Sequence, residues 1–267
     1  MDIKLESVSF RYPSGVLALD GIDLQLNQGE TVAIVGENGA GKSTLVKHLN
    51  ALLIPEHGRV LVGDWDTSEY SPAKLAARVG FAFQNPDDQL FAQTVKQEIS
   101  FGPRNLGFDE NKLQRLVESA IAMVGLQDMV DSHPYDLSLS QRKMIVIAAI
   151  LAMDTPIVIL DEPTTGQDAR GIAMVGKIVD ELRNLGRTAI IISHDLDFCA
   201  EHCERILVMA GGKICADGPA QEILYQEDLL HSAAVEPPQV ARLSKILGLE
   251  KQKPLSIHQF VDNIAKN

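Results

Sequence analysis

Apolar positions along this chain follow two rhythms. Short continuous runs at Thr31 to Val35 (TVAIV), Val79 to Phe83 (VGFAF), Ile157 to Leu160 (IVIL) and Thr188 to Ile192 (TAIII) have the length and β-branched content of strands covered on both faces. Between them, apolar residues recur three and four apart. The segment from Lys42 (KSTLVKHLNALL) has this spacing, as does Asn111 to Val124 with Leu113, Leu116, Val117, Ala120, Ile121 and Val124. Buried strands alternating with amphipathic helices predict an α/β chain with a parallel central sheet. A helical stretch from Thr94 to Phe101 is expected to halt at Gly102-Pro103. A strand at Arg205 to Met209 leads into a Gly211-Gly212 hairpin, and the chain is expected to leave the core near Gly218-Pro219. Past Glu236-Pro237-Pro238, helical patterns return at Val240 to Leu247 and Ser256 to Ile264. The expected organisation is a core over residues 1–218 with a helical subdomain inserted at about 86–152, followed by a helical extension over 219–267.

Composition narrows the class. With 267 residues and 45% hydrophobic content the chain can bury a large core. The longest apolar stretch, Met144 to Met153, is about half of the ~20 residues needed to span a bilayer. No N-terminal signal pattern is visible, so a soluble, cytoplasmic chain is expected. Three cysteines provide no disulfide framework. Cys199, His202 and Cys203 fall at helical spacing, but three ligands in apolar surroundings fit a core helix better than a metal site. A net charge of −12 argues against a partner held by a basic field, nucleic acid or anionic lipid.

The chemistry starts at Gly36-Glu37-Asn38-Gly39-Ala40-Gly41-Lys42-Ser43, which fits G-x-x-x-x-G-K-[ST] between a strand and a helix. Glycines let the backbone curl so that successive N–H groups face phosphate oxygens, and a side chain at Gly39 or Gly41 would crowd the ligand. The helix N-terminus adds positive partial charge. Lys42 is placed to reach the β- and γ-phosphates, Ser43 to ligate Mg²⁺ and Thr44 to bond the α-phosphate. The expected ligand is a nucleoside triphosphate.

The run Ile157 to Leu160 ends in Asp161-Glu162, two acids delivered to the carboxyl end of a strand, where open α/β sheets bind ligands. Asp161 fits a Mg²⁺-supporting carboxylate, and Glu162 a base or water-orienting group. The next strand ends in Ser193-His194-Asp195, and Val79 to Phe83 delivers Gln84, whose amide can ligate Mg²⁺ or the attacking water.

In this order the landmarks resemble an ABC-type ATPase subunit: Gly36 to Ser43 the Walker A motif, Gln84 the Q-loop, Ile157 to Glu162 the Walker B motif with its catalytic glutamate, and His194 the switch histidine. Thr164 to Asp168 occupies the D-loop position, and Tyr12 is similar to the aromatic that stacks on adenine. The resemblance implies a P-loop NTPase core with an antiparallel β subdomain, the cofactors ATP and Mg²⁺, and a head-to-tail dimer in which Ser138, Gln141 and Asp168 face the other subunit's nucleotide. One motif departs from the pattern. Where the family has L-S-G-G-Q, this chain has Leu137-Ser138-Leu139-Ser140-Gln141, which puts Cβ atoms where backbone was to approach a phosphate. The composite site receiving this loop is therefore expected to be impaired, which favours a heterodimer with a second ATPase subunit over a homodimer.

The run Gln84-Asn85-Pro86-Asp87-Asp88-Gln89-Leu90-Phe91 resembles the energy-coupling factor subgroup, which serves vitamin and cobalt or nickel importers. That resemblance implies a transmembrane coupling protein and an integral membrane substrate-binding protein as partners. It also implies a peripheral position on the cytoplasmic face of the membrane and a C-terminal extension that helps hold two ATPase subunits together. Another ABC transporter class, or a soluble ABC protein, is the alternative.

Overall fold

Residues that alternate between two apolar surroundings form strands. A computed structural model describes residues 1–265; residues 266 and 267 of the expected extension lie outside the described residues. In chain order the elements are β1 (Ile3–Arg11), β2 (Leu17–Leu26), β3 (Thr31–Val35), α1 (Lys42–Leu49), β4 (His57–Val62), β5 (Trp65–Asp66), α2 (Pro72–Leu75) and β6 (Val79–Ala82). A helical insert follows, with α3 (Val95–Asn105), α4 (Glu110–Met123) and α5 (Leu139–Ala152). The chain returns through β7 (Ile157–Asp161), α6 (Ala169–Asn184), β8 (Thr188–Ile192), α7 (Leu196–His202), β9 (Arg205–Ala210) and β10 (Lys213–Pro219). It then runs into α8 (Ala220–Ile223), α9 (Glu227–Ser232), α10 (Gln239–Ile246) and α11 (Ile257–Ala265).

A six-stranded sheet in the order β10-β9-β3-β8-β7-β6 is parallel except for β10. A separate four-stranded antiparallel sheet, β2-β1-β4-β5, covers one of its faces. This is why the apolar runs are continuous. Val32, Ile34, Ile157, Ile159, Ile190 and Ile192 pack toward the antiparallel sheet, while Ala33, Val35, Val158, Leu160, Ala189 and Ile191 pack toward the helices.

In the helical insert, α3 and α4 both lie against α5. Thr94 caps α3 and Asp109 caps α4, each accepting from a backbone N–H three residues on. The expected stop at Gly102-Pro103 is corrected: α3 runs on to Asn105, and its end is set by Gly107 at φ 76°. A proline inside a helix costs about 3 kcal/mol locally. Here Pro103 is buried, and Gly102 lets α3 approach the end of α5, since a Cβ there would stand 2.6 Å from Met153 Cγ. Packing outweighs the local cost.

Beyond Pro219 the chain continues to pack on the core, with Ala220, Ile223, Leu224, Leu230, Ala233 and Val235 in the same apolar cluster as the helical insert. The extension is also tied by polar bonds, from Gln239 N to Asp197 Oδ1 at 2.8 Å and from the Tyr225 hydroxyl to the Pro254 carbonyl at 2.8 Å. No helix among the described residues is long and apolar enough to cross a membrane.

Candidate active site

The carboxyl ends of β3, β6, β7 and β8 lie side by side, and each delivers a chemically distinctive residue. After β3 the chain turns through Gly36 to Gly41 into α1. Gly36 (φ 145°) and Gly41 (φ 102°) are required by the protein itself: a Cβ would stand 2.0 Å from the Met209 carbonyl oxygen or 2.5 Å from that of Ala18. Gly39 (φ 85°) has open space beyond it, as a phosphate cradle needs. The expected crowding therefore splits in two. At Gly41 the first obstacle is the β2 backbone, and only Gly39 leaves the constraint to its backbone angle and the ligand. Gly41 caps α1 without a side-chain bond, leaving the first-turn amides free for an anion.

Lys42 is buried and curls back over the loop, donating from Nζ to the Gly36 carbonyl at 2.7 Å and the Glu37 carbonyl at 2.8 Å. Burial pushes its pKa down, and the carboxylates of Glu162, Asp161 and Glu37 oppose that shift. Burial likewise raises the Asp161 carboxyl above its ordinary value, offset in part by the Ser43 hydroxyl beside it. Asp161 Oδ1 and Glu162 Oε1 are both buried without a hydrogen-bond partner. Two orphaned carboxylate oxygens beside a phosphate cradle are costly unless a ligand completes them.

Glu162 is held in a left-handed conformation (φ 50°) that a non-glycine residue adopts at a cost of order 1–3 kcal/mol. Its N–H donates to the Ile192 carbonyl at 2.9 Å, and its Oε2 accepts from the Thr165 hydroxyl at 3.1 Å. Oε1 stands 3.4 Å from His194 Nε2, and His194 Nε2 in turn lies 3.0 Å from Asn38 Oδ1 on the phosphate loop. The structure thus brings Asn38, Lys42, Asp161, Glu162 and His194 together. Gln84 stands exposed just past β6, and its side chain makes no hydrogen bond among the described residues.

Tyr12 sits over the same loop, its hydroxyl 3.0 Å from Thr44 Oγ1. Phe10 packs edge-on between Tyr12 and His48, with ring centroids at 5.0 and 4.9 Å, and His48 Nδ1 lies 2.7 Å from the Thr44 carbonyl. Burial lowers the His48 pKa, and the Thr44 carbonyl opposes that shift in part. No group of three or more His, Cys, Asp or Glu among the described residues could hold a metal ion. His202, considered with Cys199 and Cys203, lies 3.3 Å from Asp180.

Residues 19–165 match the model of a family described as ABC transporter. The chain is 36% identical over 267 residues to the energy-coupling factor transporter ATP-binding protein EcfA of Methanocaldococcus jannaschii, covering 99% of this chain and 96% of that one. It belongs to the ABC transporter family of ATP-binding proteins. A putative ABC transporter ATP-binding protein of Methanosarcina acetivorans is 40% identical over 96% of this chain, which spans only 42% of that protein's length. Among solved structures, cbiO1 from Clostridium perfringens, described as part of the ABC transporter complex cbiONQ, superposes with a TM-score of 0.75 at 34% identity, covering 91% of this chain and 98% of that one.

Leu137 to Gln141, the segment whose sequence resembles the signature L-S-G-G-Q, opens α5. Ser138 and Gln141 form a reciprocal capping box: Gln141 N donates to Ser138 Oγ at 3.3 Å and Ser138 N to Gln141 Oε1 at 2.9 Å. Ser138 Oγ accepts there, leaving its own proton for another acceptor. Within that segment, Leu139 is exposed and Ser140 bonds Gln167, ahead of α6. Asp168 caps α6, accepting from Gly171 N at 2.8 Å.

Sequence reasoning assigned no role to Lys143, and it placed Thr165 and Gln167 only as members of the D-loop segment. Lys143 left one trace, as a charged residue directly before the apolar run Met144 to Met153.

Proposed function

We propose that this chain is the ATP-binding and ATP-hydrolysing subunit that energises an energy-coupling-factor importer of vitamins or transition-metal ions, working peripherally on the cytoplasmic face of the membrane. The observation that carries the hydrolytic reading is the buried Asp161-Glu162 pair at the exit of β7, with one oxygen of each lacking a hydrogen bond beside the phosphate loop.

Gly36 to Thr44 would cradle the triphosphate through backbone N–H groups, with Lys42 exchanging its two carbonyl partners for phosphate oxygens. Tyr12 would leave Thr44 and stack on the adenine ring. Glu162 Oε1 would accept the proton of the attacking water while His194 donates to the transferring phosphoryl group. Mg²⁺, when bound, neutralises charge on the β- and γ-phosphates. Ser43, Asp161 and Gln84 would hold it, an all-oxygen donor set that suits a hard cation, and the orphaned Asp161 Oδ1 fits that use.

The importer reading is supported by the name of the Methanocaldococcus jannaschii relative and by the surface that follows Gln84. There Phe91 and Phe101 pack edge-on at 4.6 Å yet stay 58% and 47% exposed, an apolar platform suited to an apolar coupling helix; of the two acids that precede it in the chain, Asp87 pairs with Arg142 at 2.8 Å and Asp88 is exposed. The partners are a transmembrane coupling protein, an integral membrane substrate-binding protein and a second ATPase subunit. Leu139 and Ser140 favour a heterodimer, in which a partner with both signature glycines serves the nucleotide bound by Lys42.

Tagged chain purified from gently solubilised membranes of its native cell, followed by mass spectrometry, tests this reading. Recovery of a multi-helix coupling protein, a small integral membrane protein and a second ATPase with an intact signature is expected. Recovery of only soluble or ribosomal partners would refute the importer assignment and leave the ATPase site standing.

A further inference from the structure

Lys143, on the second turn of α5, is a lysine with 7% of its surface exposed. Its Nζ donates to the main-chain carbonyl of Glu162 at 2.8 Å. The bond crosses from the helical insert to the catalytic strand exit, since α5 carries α3 and α4 while Glu162 follows β7. The Glu162 peptide is therefore gripped from two sides, its N–H by the Ile192 carbonyl on β8 and its C=O by the α5 ammonium. A residue kept at φ 50° needs such over-determination, because the relaxed conformation is downhill by the strain it stores.

We propose that Lys143 is a positioning residue for the hydrolytic reaction: through the Glu162 carbonyl it fixes the backbone turn that aims Glu162 Oε1 toward the phosphate loop, and so couples the orientation of the helical insert to the catalytic carboxylate. The proposal rests on the reading of Glu162 as the water-orienting base. Three further observations agree with it. Lys143 burial is costly for an ammonium, and the Glu162 and Asp161 carboxylates are the charges that compensate it. Lys42 faces the same two acids from the phosphate loop, so two buried cations bracket two buried anions. One helical turn earlier on α5, Ser140 and Gln167 tie α5 to the same β7–α6 connection. A rotation of α5 that lengthened the Lys143 bond would release Glu162 toward its unstrained conformation and swing Oε1 away from the attacking water.

The test compares the assembled complex carrying wild-type chain with the complex carrying Lys143→Met, which keeps the length and loses the charge and donor, and with that carrying Lys143→Arg, which keeps both. Steady-state phosphate release against ATP concentration, binding of a fluorescent ATP analogue and thermal unfolding are measured for each. Displacing a reacting group by about 1 Å costs up to ~10²-fold in rate. Lys143→Met should therefore lose roughly 10- to 100-fold in kcat, with KM and analogue affinity within about twofold of wild type, while Lys143→Arg recovers most of the rate. Three results overturn the proposal: parental kcat in Lys143→Met, a loss shared between kcat and nucleotide affinity, or a folded Lys143→Arg as slow as the methionine form. If Lys143→Met does not fold, the arginine variant decides alone. Wild-type complex that binds the analogue but releases no phosphate fails the underlying ATPase reading, an outcome distinct from any difference between the variants.

Discussion

The Ser140 hydroxyl donates to Gln167 Oε1 at 2.5 Å, and the Gln167 amide returns a bond to the Ser140 carbonyl at 3.2 Å. The signature turn is thereby fastened to its own chain. In a head-to-tail dimer that turn would face the other subunit's phosphates, yet here one hydroxyl is committed inward and the exposed Leu139 side chain stands where a glycine backbone would approach.

Restoring both glycines should undo this. Removing one oriented donor of this kind costs up to about 3 kcal/mol, or ~10²-fold in turnover. Leu139→Gly with Ser140→Gly is expected to raise the ATPase rate of the assembled dimer toward that limit, read as phosphate release per complex. An unchanged rate would show that the composite site receiving this loop is not impaired.

The Tyr12 hydroxyl stands 3.0 Å from Thr44 Oγ1, while the ring is the part proposed to stack on adenine. Tyr12→Ala should weaken ATP binding by roughly tenfold, the ~1–1.5 kcal/mol of an aromatic stacking contact, whereas Tyr12→Phe should bind no more weakly than wild type. A fluorescent-nucleotide titration separates them. Equal losses in the two variants would assign the effect to the hydroxyl.

Asp161 carries a pH signature. Burial raises its carboxyl above the ordinary value of 3.8, so the proton must leave before the carboxylate can ligate a cation. Mg²⁺ activation of hydrolysis should accordingly weaken as pH falls through the raised value. For folding stability measured without Mg²⁺ the sign is opposite. A carboxyl with a raised folded pKa contributes stability that is full below the unfolded value and is lost as pH rises through the folded one. Asp161→Asn should thus abolish Mg²⁺-dependent hydrolysis and remove the part of the stability that is lost as pH rises through the raised Asp161 value. Calorimetry on the metal-free variant over a range of pH checks this, and a pH profile of melting identical to wild type would contradict it.

What could be read without coordinates was the chemistry whose residues are neighbours in the chain. The loop from Gly36 to Ser43 and the run ending in Asp161-Glu162 announce themselves because each element carries its whole requirement locally. The central strands were legible because burial on both faces leaves an uninterrupted apolar run. The Gly102-Pro103 stop failed because local propensity was overruled by contact with Met153, far away in sequence. The same distance hid the bonds that organise the site. Lys143 reaches Glu162 across 19 residues, Ser140 reaches Gln167 across 27 and Tyr12 reaches Thr44 across 32. No periodicity encodes such pairs, since they exist only once α5 and the strands are packed.

Glu162→Gln tests the central claim most directly. The amide keeps the shape of the side chain and cannot take up a proton, and a general base contributes typically 10²–10⁴-fold. Measured as phosphate release at saturating ATP beside fluorescent-nucleotide binding, the variant should bind ATP with affinity within about twofold of wild type and hydrolyse it at least ~10²-fold more slowly. Hydrolysis at the parental rate with nucleotide binding intact would contradict the assignment of Glu162 as the group that activates the attacking water.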